Sequence, residues 1–208
     1  MLRATCDPRQ ALACDRLAAR INWAPFLTDH GSMKQLLAIA AIGKDRPGLA
    51  HDVVRTIADC GAGINESRVL ALGGELALQI LVSGNWHSVA RVESELTRLA
   101  EAAGLALHLR RTEPKPLRED CIPYSIDVIG PDRAGIVAGL AGFLVARNIE
   151  IAEVASRSYA AAQTGAAMFA VQMMINVPTK LAIAQLREDF MEYCDSQNLD
   201  AILEPVKN

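Results

Sequence analysis

GKDRPGLAHDVVRTIADCGAGINE, residues 43–66, and GPDRAGIVAGLAGFLVARNIEIAE, residues 130–153, are one pattern written twice. With a shift of 87 residues, six of the 24 positions are identical: Gly43/Gly130, Asp45/Asp132, Arg46/Arg133, Gly48/Gly135, Ile64/Ile151 and Glu66/Glu153. Four of the six fall in a loop between an apolar run and a helical period, so the duplicated unit is a supersecondary motif and not a chance match. In the first copy Leu49, Val53 and Ile57 recur at helical spacing with Val54 and Ala58 beside them. Leu140, Leu144 and Val145 give the second helix its apolar face. Asp45 and Asp132 are expected to cap these helices, with Pro47 in the first turn, where a missing N–H costs nothing. Gly61 and Gly63 are expected to stop the first helix.

Outward from the loop, the rest of each unit follows. Leu36 to Ile42 is a short apolar run that suits a buried strand. Ile64 to Leu72 and Glu75 to Ser83 are two strand-like runs around Gly73-Gly74, a hairpin signal because both turn positions can take positive φ. A helix over about 87–103, with Val89, Val92, Leu96 and Leu99 on one side, and a strand at Leu105–Leu109 complete the order βαββαβ. The second copy reads alike: a strand over 122–130, a strand from Ile149, a looser connection at 159–165, a strand at 168–177, a helix at 180–196 and a strand at 199–206. The expected class is α+β. It consists of two ferredoxin-like modules, each an antiparallel four-stranded sheet with two helices on one face. Residues 34–111 form the first module and 122–208 the second. The two prolines and five charges of 112–121 make a linker. Residues 1–33, which lack strand alternation, form a loosely attached extension.

Composition narrows the function. Hydrophobic residues are 51% of the 208 and aromatics 4%. The chain can therefore bury a core but has few rings for stacking bases. Net charge is −3, and from Ile122 onward ten Asp/Glu oppose six Lys/Arg. Neither a basic stripe nor a helix-turn-helix pattern stands out, so direct nucleic-acid binding is not expected. Five cysteines without a CxxC pair fit reduced thiols in a cytoplasmic protein better than a disulfide or zinc framework. No apolar run approaches the roughly 20 residues of a membrane span. The four histidines, His30, His51, His87 and His108, share no metal-ligand spacing. Cys60 and Cys194 read as small buried hydrophobes. No catalytic residue, metal site or cofactor is expected.

The strand–Gly–x–Asp–Arg–x–Gly–(Ile/Leu)–helix signature, with (Gly/Asn)-x-x-Ile about fifteen residues later, resembles the ACT domain family over about residues 34–206. Two such modules in a chain of this size are similar to the glycine cleavage system transcriptional repressor family. That resemblance implies an amino-acid-responsive regulator without a DNA-binding domain. Such a protein restrains a DNA-binding transcription factor by protein contact, with glycine the most plausible signal. It also implies a ligand site at Asp45, Arg46, Pro47, Gly48, Leu49, Ile64 and Asn65. A second site could lie at Asp132, Arg133, Gly135, Ile136, Ile151 and Glu153, although Ala152 stands where the first copy has Asn65. Open strand edges could also pair the chain into a homodimer. The physics is compatible: a helix N-terminus attracts a carboxylate, and Asn65 offers an acceptor for an ammonium. The motif alone is equally a structural turn, since Asp before a helix caps it in any protein. Gln79 and Gln172, at matching places in the third strands, read as buried polar residues touching either another sheet or a ligand. Two alternatives remain: a ligand-free ACT oligomerisation module, or a regulatory relative of formyltetrahydrofolate deformylase without its catalytic domain.

Overall fold

The computed structural model describes residues 34–116 and 120–206. The extension expected at 1–33 lies outside them. The described chain divides into two compact units, the first ending at Pro116.

The first unit runs β1 (Gln35–Lys44), α1 (Leu49–Asp59), β2 (Gly63–Leu72), β3 (Glu75–Gly84), α2 (Trp86–Ala103) and β4 (Ala106–Thr112). Its sheet is antiparallel with strand order β2-β3-β1-β4. Alternate residues of the central strands, Leu37, Ile39 and Ala41 on β1 and Leu76, Leu78, Ile80 and Val82 on β3, point to one side. They are sealed there by Leu49, Val53 and Ile57 of α1 and Val89, Val92 and Leu96 of α2. A cap from Asn85, whose side chain accepts from the Ser88 N–H at 2.8 Å, starts α2. Gly104, at φ 67°, ends it.

The second unit repeats this with β5 (Cys121–Pro131), α3 (Ile136–Val145), β6 (Glu150–Ala160), β7 (Ala167–Pro178), α4 (Ile183–Ser196) and β8 (Asp200–Pro205), in the order β6-β7-β5-β8. The α+β class and the two βαββαβ passes are as the sequence leads one to expect. Its core is more aromatic. Phe143 of α3 meets Phe190 edge-on at 5.3 Å and Tyr193 at 5.2 Å, while the Arg147 guanidinium lies 3.7 Å above the Phe143 ring. Tyr193 approaches so near that a Cβ on Gly139 would strike its hydroxyl. Val145 is 64% exposed, so the apolar face of α3 turns through Phe143 instead. Thr112 and Cys121 are strand residues, leaving 113–116 as the described irregular stretch between the sheets.

Three local readings are revised. Neither Asp45 nor Asp132 caps a helix: the N-caps are Gly48 and Gly135, with no side-chain cap, and Pro47 lies ahead of α1 and not in its first turn. Of the hairpin glycines only Gly73 takes positive φ. Gln79 and Gln172 are exposed, on the sheet faces that no helix covers.

Candidate functional site

The duplicated loop is built the same way in both units. Gly48 and Gly135 sit at φ 88° and 92°, which places the chain in the left-handed region just before the helix. An L side chain there is strained by roughly 1–2 kcal/mol, so glycine is dictated by the backbone. Space is not what demands it, because a Cβ at either position would meet nothing within 4 Å. Gly43 and Gly130 are glycine for the opposite reason. A Cβ on Gly43 would come within 2.6 Å of Leu105 Cδ2 and 3.2 Å of the Gly104 carbonyl; one on Gly130 would collide with Leu199 and meet the Asn198 carbonyl at 3.2 Å. The repeated Gly at the strand end therefore receives the turn after the second helix. In that turn Gly104 in one unit and Asn198 in the other adopt positive φ. The sequence places the end of the second helix at Gly104; it does not reveal that Gly43 and Gly130 receive these turns, although the repeated glycine is the signal.

The acids and arginines of the loop have partners within their own units. The Asp45 N–H donates to the Gly74 carbonyl at 3.0 Å, and the Asp132 N–H to that of Ala167 at 3.0 Å, tying each loop to the adjacent hairpin. Arg46 pairs with Asp52 in the first turn of α1 at 2.9 Å, both side chains substantially exposed. Arg133 instead donates from Nη2 to the Gln197 carbonyl at 2.6 Å and to its Oε1 at 3.0 Å, binding the loop to the end of α4. The first turn of α3 carries no acid. Leu49 and Ile136 are buried beneath the loops as core residues, whereas Asp45, Arg46, Pro47, Gly48, Asp132, Arg133 and Gly135 are exposed.

Strand register separates the expected site residues. Ile64 pairs with Val82, and Val82 with Leu37. From Leu37 to Lys44 is seven residue steps, about 23 Å at the usual rise of a strand. Ile64 and Asn65 therefore lie at one end of the sheet and Asp45–Gly48 at the other. One first unit cannot close all of them on a single amino acid. The second unit is equivalent, since Ile151 pairs with Ile175 and Ile175 with Tyr124, seven steps from Pro131. Asn65 occupies a β-bulge, where the register shifts between Ile64 and Glu66; Ala152 occupies the matching bulge between Ile151 and Glu153. A bulge residue is left out of the ladder, so the backbone of Asn65 and of Ala152 stands outside the strand pairing. Every residue of β2 is exposed, including Ile64, Val69, Leu70 and Leu72.

Other reactive groups are quiet. Burial pushes the Cys60 thiol up, and that of Cys194 up to about 11. Both are therefore protonated packing groups and not nucleophiles. His51 is exposed beside Asp52, at 3.8 Å. Among the described residues no group of three or more His, Cys, Asp or Glu could hold a metal ion. None of their helices is long and apolar enough to cross a membrane. On the first unit Arg111 grips both carboxylate oxygens of Glu93, with bonds of 2.9 and 2.8 Å. Hydrogen bonds from Arg111 hold the Glu93 carboxyl below its ordinary range.

Comparison with known proteins places this architecture. Residues 35–110 match the ACT domain. The glycine cleavage system transcriptional repressor of Escherichia coli strain K12 is 28% identical over 177 residues, 84% of this chain and 92% of that protein. A crystal structure provisionally assigned as a glycine cleavage system transcriptional repressor superposes with TM-score 0.64 at 28% identity, over 85% of this chain and all of that one. An unknown protein from Galdieria sulphuraria superposes with TM-score 0.68 at 25% identity, over 84% of this chain and 99% of that one. The chain is thus two βαββαβ units in tandem, the first of which matches the ACT domain, and as a whole it is similar to the glycine cleavage system transcriptional repressors.

Proposed function

We propose that this protein is a cytoplasmic, amino-acid-responsive regulator that restrains a transcriptional activator of glycine cleavage genes by protein contact, without catalysis and without binding nucleic acid itself. The observation that carries the reading is the similarity to the E. coli repressor along 92% of that protein's length. The acidic second half supports contact with a protein over contact with DNA.

The ligand is a small amino acid, glycine first among them, with its carboxylate at the Asp45–Leu49 loop and its ammonium near the Asn65 amide. Because register keeps these ends about 23 Å apart in one unit, the site is shared with a second copy. β2 is an open edge with every residue exposed. Two such edges pairing antiparallel would set the start of one β2 beside the end of the other, and hence Asn65 of one copy near the loop of its neighbour. Arg46 would turn from Asp52 toward the carboxylate. Binding then favours the dimer, and the activator is released in proportion to the ligand's differential affinity for the free and bound regulator.

The test is activator affinity with and without millimolar glycine, alongside sedimentation. Weaker activator binding and a larger dimer fraction with glycine support the proposal; no change in either refutes it. A specific observation favours a second reading, a ligand-free oligomerisation module: both loop arginines already have partners within their own units. Calorimetry against a panel of amino acids separates the two.

A further inference from the structure

The second sheet differs from the first along its β8 edge. Along the β8 edge, Asp127 and Ile129 of β5 stand beside Ile202 and Asp200 of β8. Met191 and Asp195 reach the same place from α4. Together they line a depression of about 210 Å³ with three carboxylates at its rim and no lysine or arginine in its lining. Ile129 is 43% exposed, Ile202 57% and Met191 36%. Two carboxylates are not committed to any hydrogen bond described here, while Asp127 accepts one from Gln172 at 2.7 Å. Of the cations beside this edge, Arg187 donates to the Leu203 carbonyl at 3.2 Å and Arg133 to the Gln197 carbonyl at 2.6 Å, two residues beyond Asp195. At the same register positions the first sheet has Ala40 beside His108 and Ile42 beside Ala106, with no carboxylate.

We propose that this edge of the second unit docks a basic segment of a partner protein, taking a lysine or arginine side chain with its stem on Ile129, Ile202 and Met191 and its charge among Asp127, Asp195 and Asp200. The chemistry fits on both counts. Long cationic side chains lay apolar stems on apolar surface while their heads stay among polar groups. An exposed methionine adapts its shape to whatever lies on it. A protein that binds DNA must itself carry basic surface to displace counterions, so an acidic, apolar-floored face complements such a partner by charge. The assignment deepens the regulatory reading above and rests on it for the partner's class alone; the surface and its preference stand on the charges.

The experiment uses the full chain without glycine, so its outcome is independent of amino-acid binding. A short fluorescein-labelled peptide of alternating lysine and leucine is titrated by anisotropy, with an alternating glutamate–leucine peptide as its counterpart. The lysine peptide should bind and the glutamate peptide should not, with affinity falling as salt rises. Asp195→Asn with Asp200→Asn should weaken binding about tenfold or more, and Ile202→Ser about threefold. A control pair on the first unit, Asp59→Asn with Glu101→Gln, changes net charge equally and should leave affinity within about twofold. Equal loss in both pairs would mean that the protein's overall charge attracts the peptide, and the proposal fails. Unchanged binding in the β8-edge pair also overturns it. So does a shift of that pair's sedimentation with no change in peptide binding, which would show that a second copy covers the face.

Discussion

The two modules share a frame and differ in what they offer on it. Both put glycine at the strand end for close packing and glycine before the helix for positive φ. Both place a bulge two residues into the start of the second strand's pairing. Identity between the copies is thus concentrated where backbone geometry tolerates no alternative. The copies diverge at side chains that the frame does not need: Asn65 against Ala152 at the bulge, Arg46 on Asp52 against Arg133 on Gln197, and the Ala40–His108 and Ile42–Ala106 pairs against Asp127–Ile202 and Ile129–Asp200 on the acidic β8 edge. On the reading proposed above, the shared scaffold leaves the first unit to bind the ligand and the second to contact the partner.

The largest effect should come from the core that distinguishes the second unit. Phe190→Ala removes a fully buried ring packed edge-on against Phe143 and should cost about 3–5 kcal/mol, read as lost amide protection in β5. If the loss is far smaller, the aromatic cluster is loosely packed and the contrast with the aliphatic first core disappears. Gly48→Val and Gly135→Val should each cost about 1–2 kcal/mol in denaturant unfolding. The two losses should be alike, because the backbone strain is the same. Gly48→Val is therefore a stability variant and unsuited to testing ligand approach alone.

The arginines should split the copies. Arg133→Ala removes bonds to the Gln197 carbonyl and amide and should cost about 0.5–1.5 kcal/mol. Arg46→Ala breaks only an exposed ion pair and should cost less than about 0.5 kcal/mol. Equal costs would erase the distinction drawn between the loops. The smallest effect is in pH. Hydrogen bonds from Arg111 hold Glu93 below its ordinary value of 4.5. The stabilisation is therefore present above that value and fades as pH falls through the depressed one. Glu93→Gln should flatten the acid side of the denaturant midpoint against pH by a small amount, and no change there would make the pair energetically idle.

The order of elements was legible because apolar runs, helical spacing and glycine punctuation are local signals. The grouping of Asn65 with the Asp45 loop was not, because it depends on strand direction: α1 carries the chain back along the module, so the next strand begins at the far end. The antiparallel order of three strands would have revealed this. The role of Gly43 and Gly130 escaped for a related reason, since the turns they receive arrive from about sixty residues further on. Asp45 looked like a cap because composition before a helix is a statistical cue, and only the φ of Gly48 shows where the helix begins.

If Asn65 holds the ligand, the two copies are not equivalent toward a small amino acid. Calorimetric titration of the full chain with glycine tests it most directly, on wild type, Asn65→Ala and Ala152→Asn. The account predicts one glycine per chain, lost or weakened about tenfold or more in Asn65→Ala. It predicts no loss in Ala152→Asn, where the amide is only added. Two equivalent glycines per chain, or one that Asn65→Ala leaves unchanged, would contradict it.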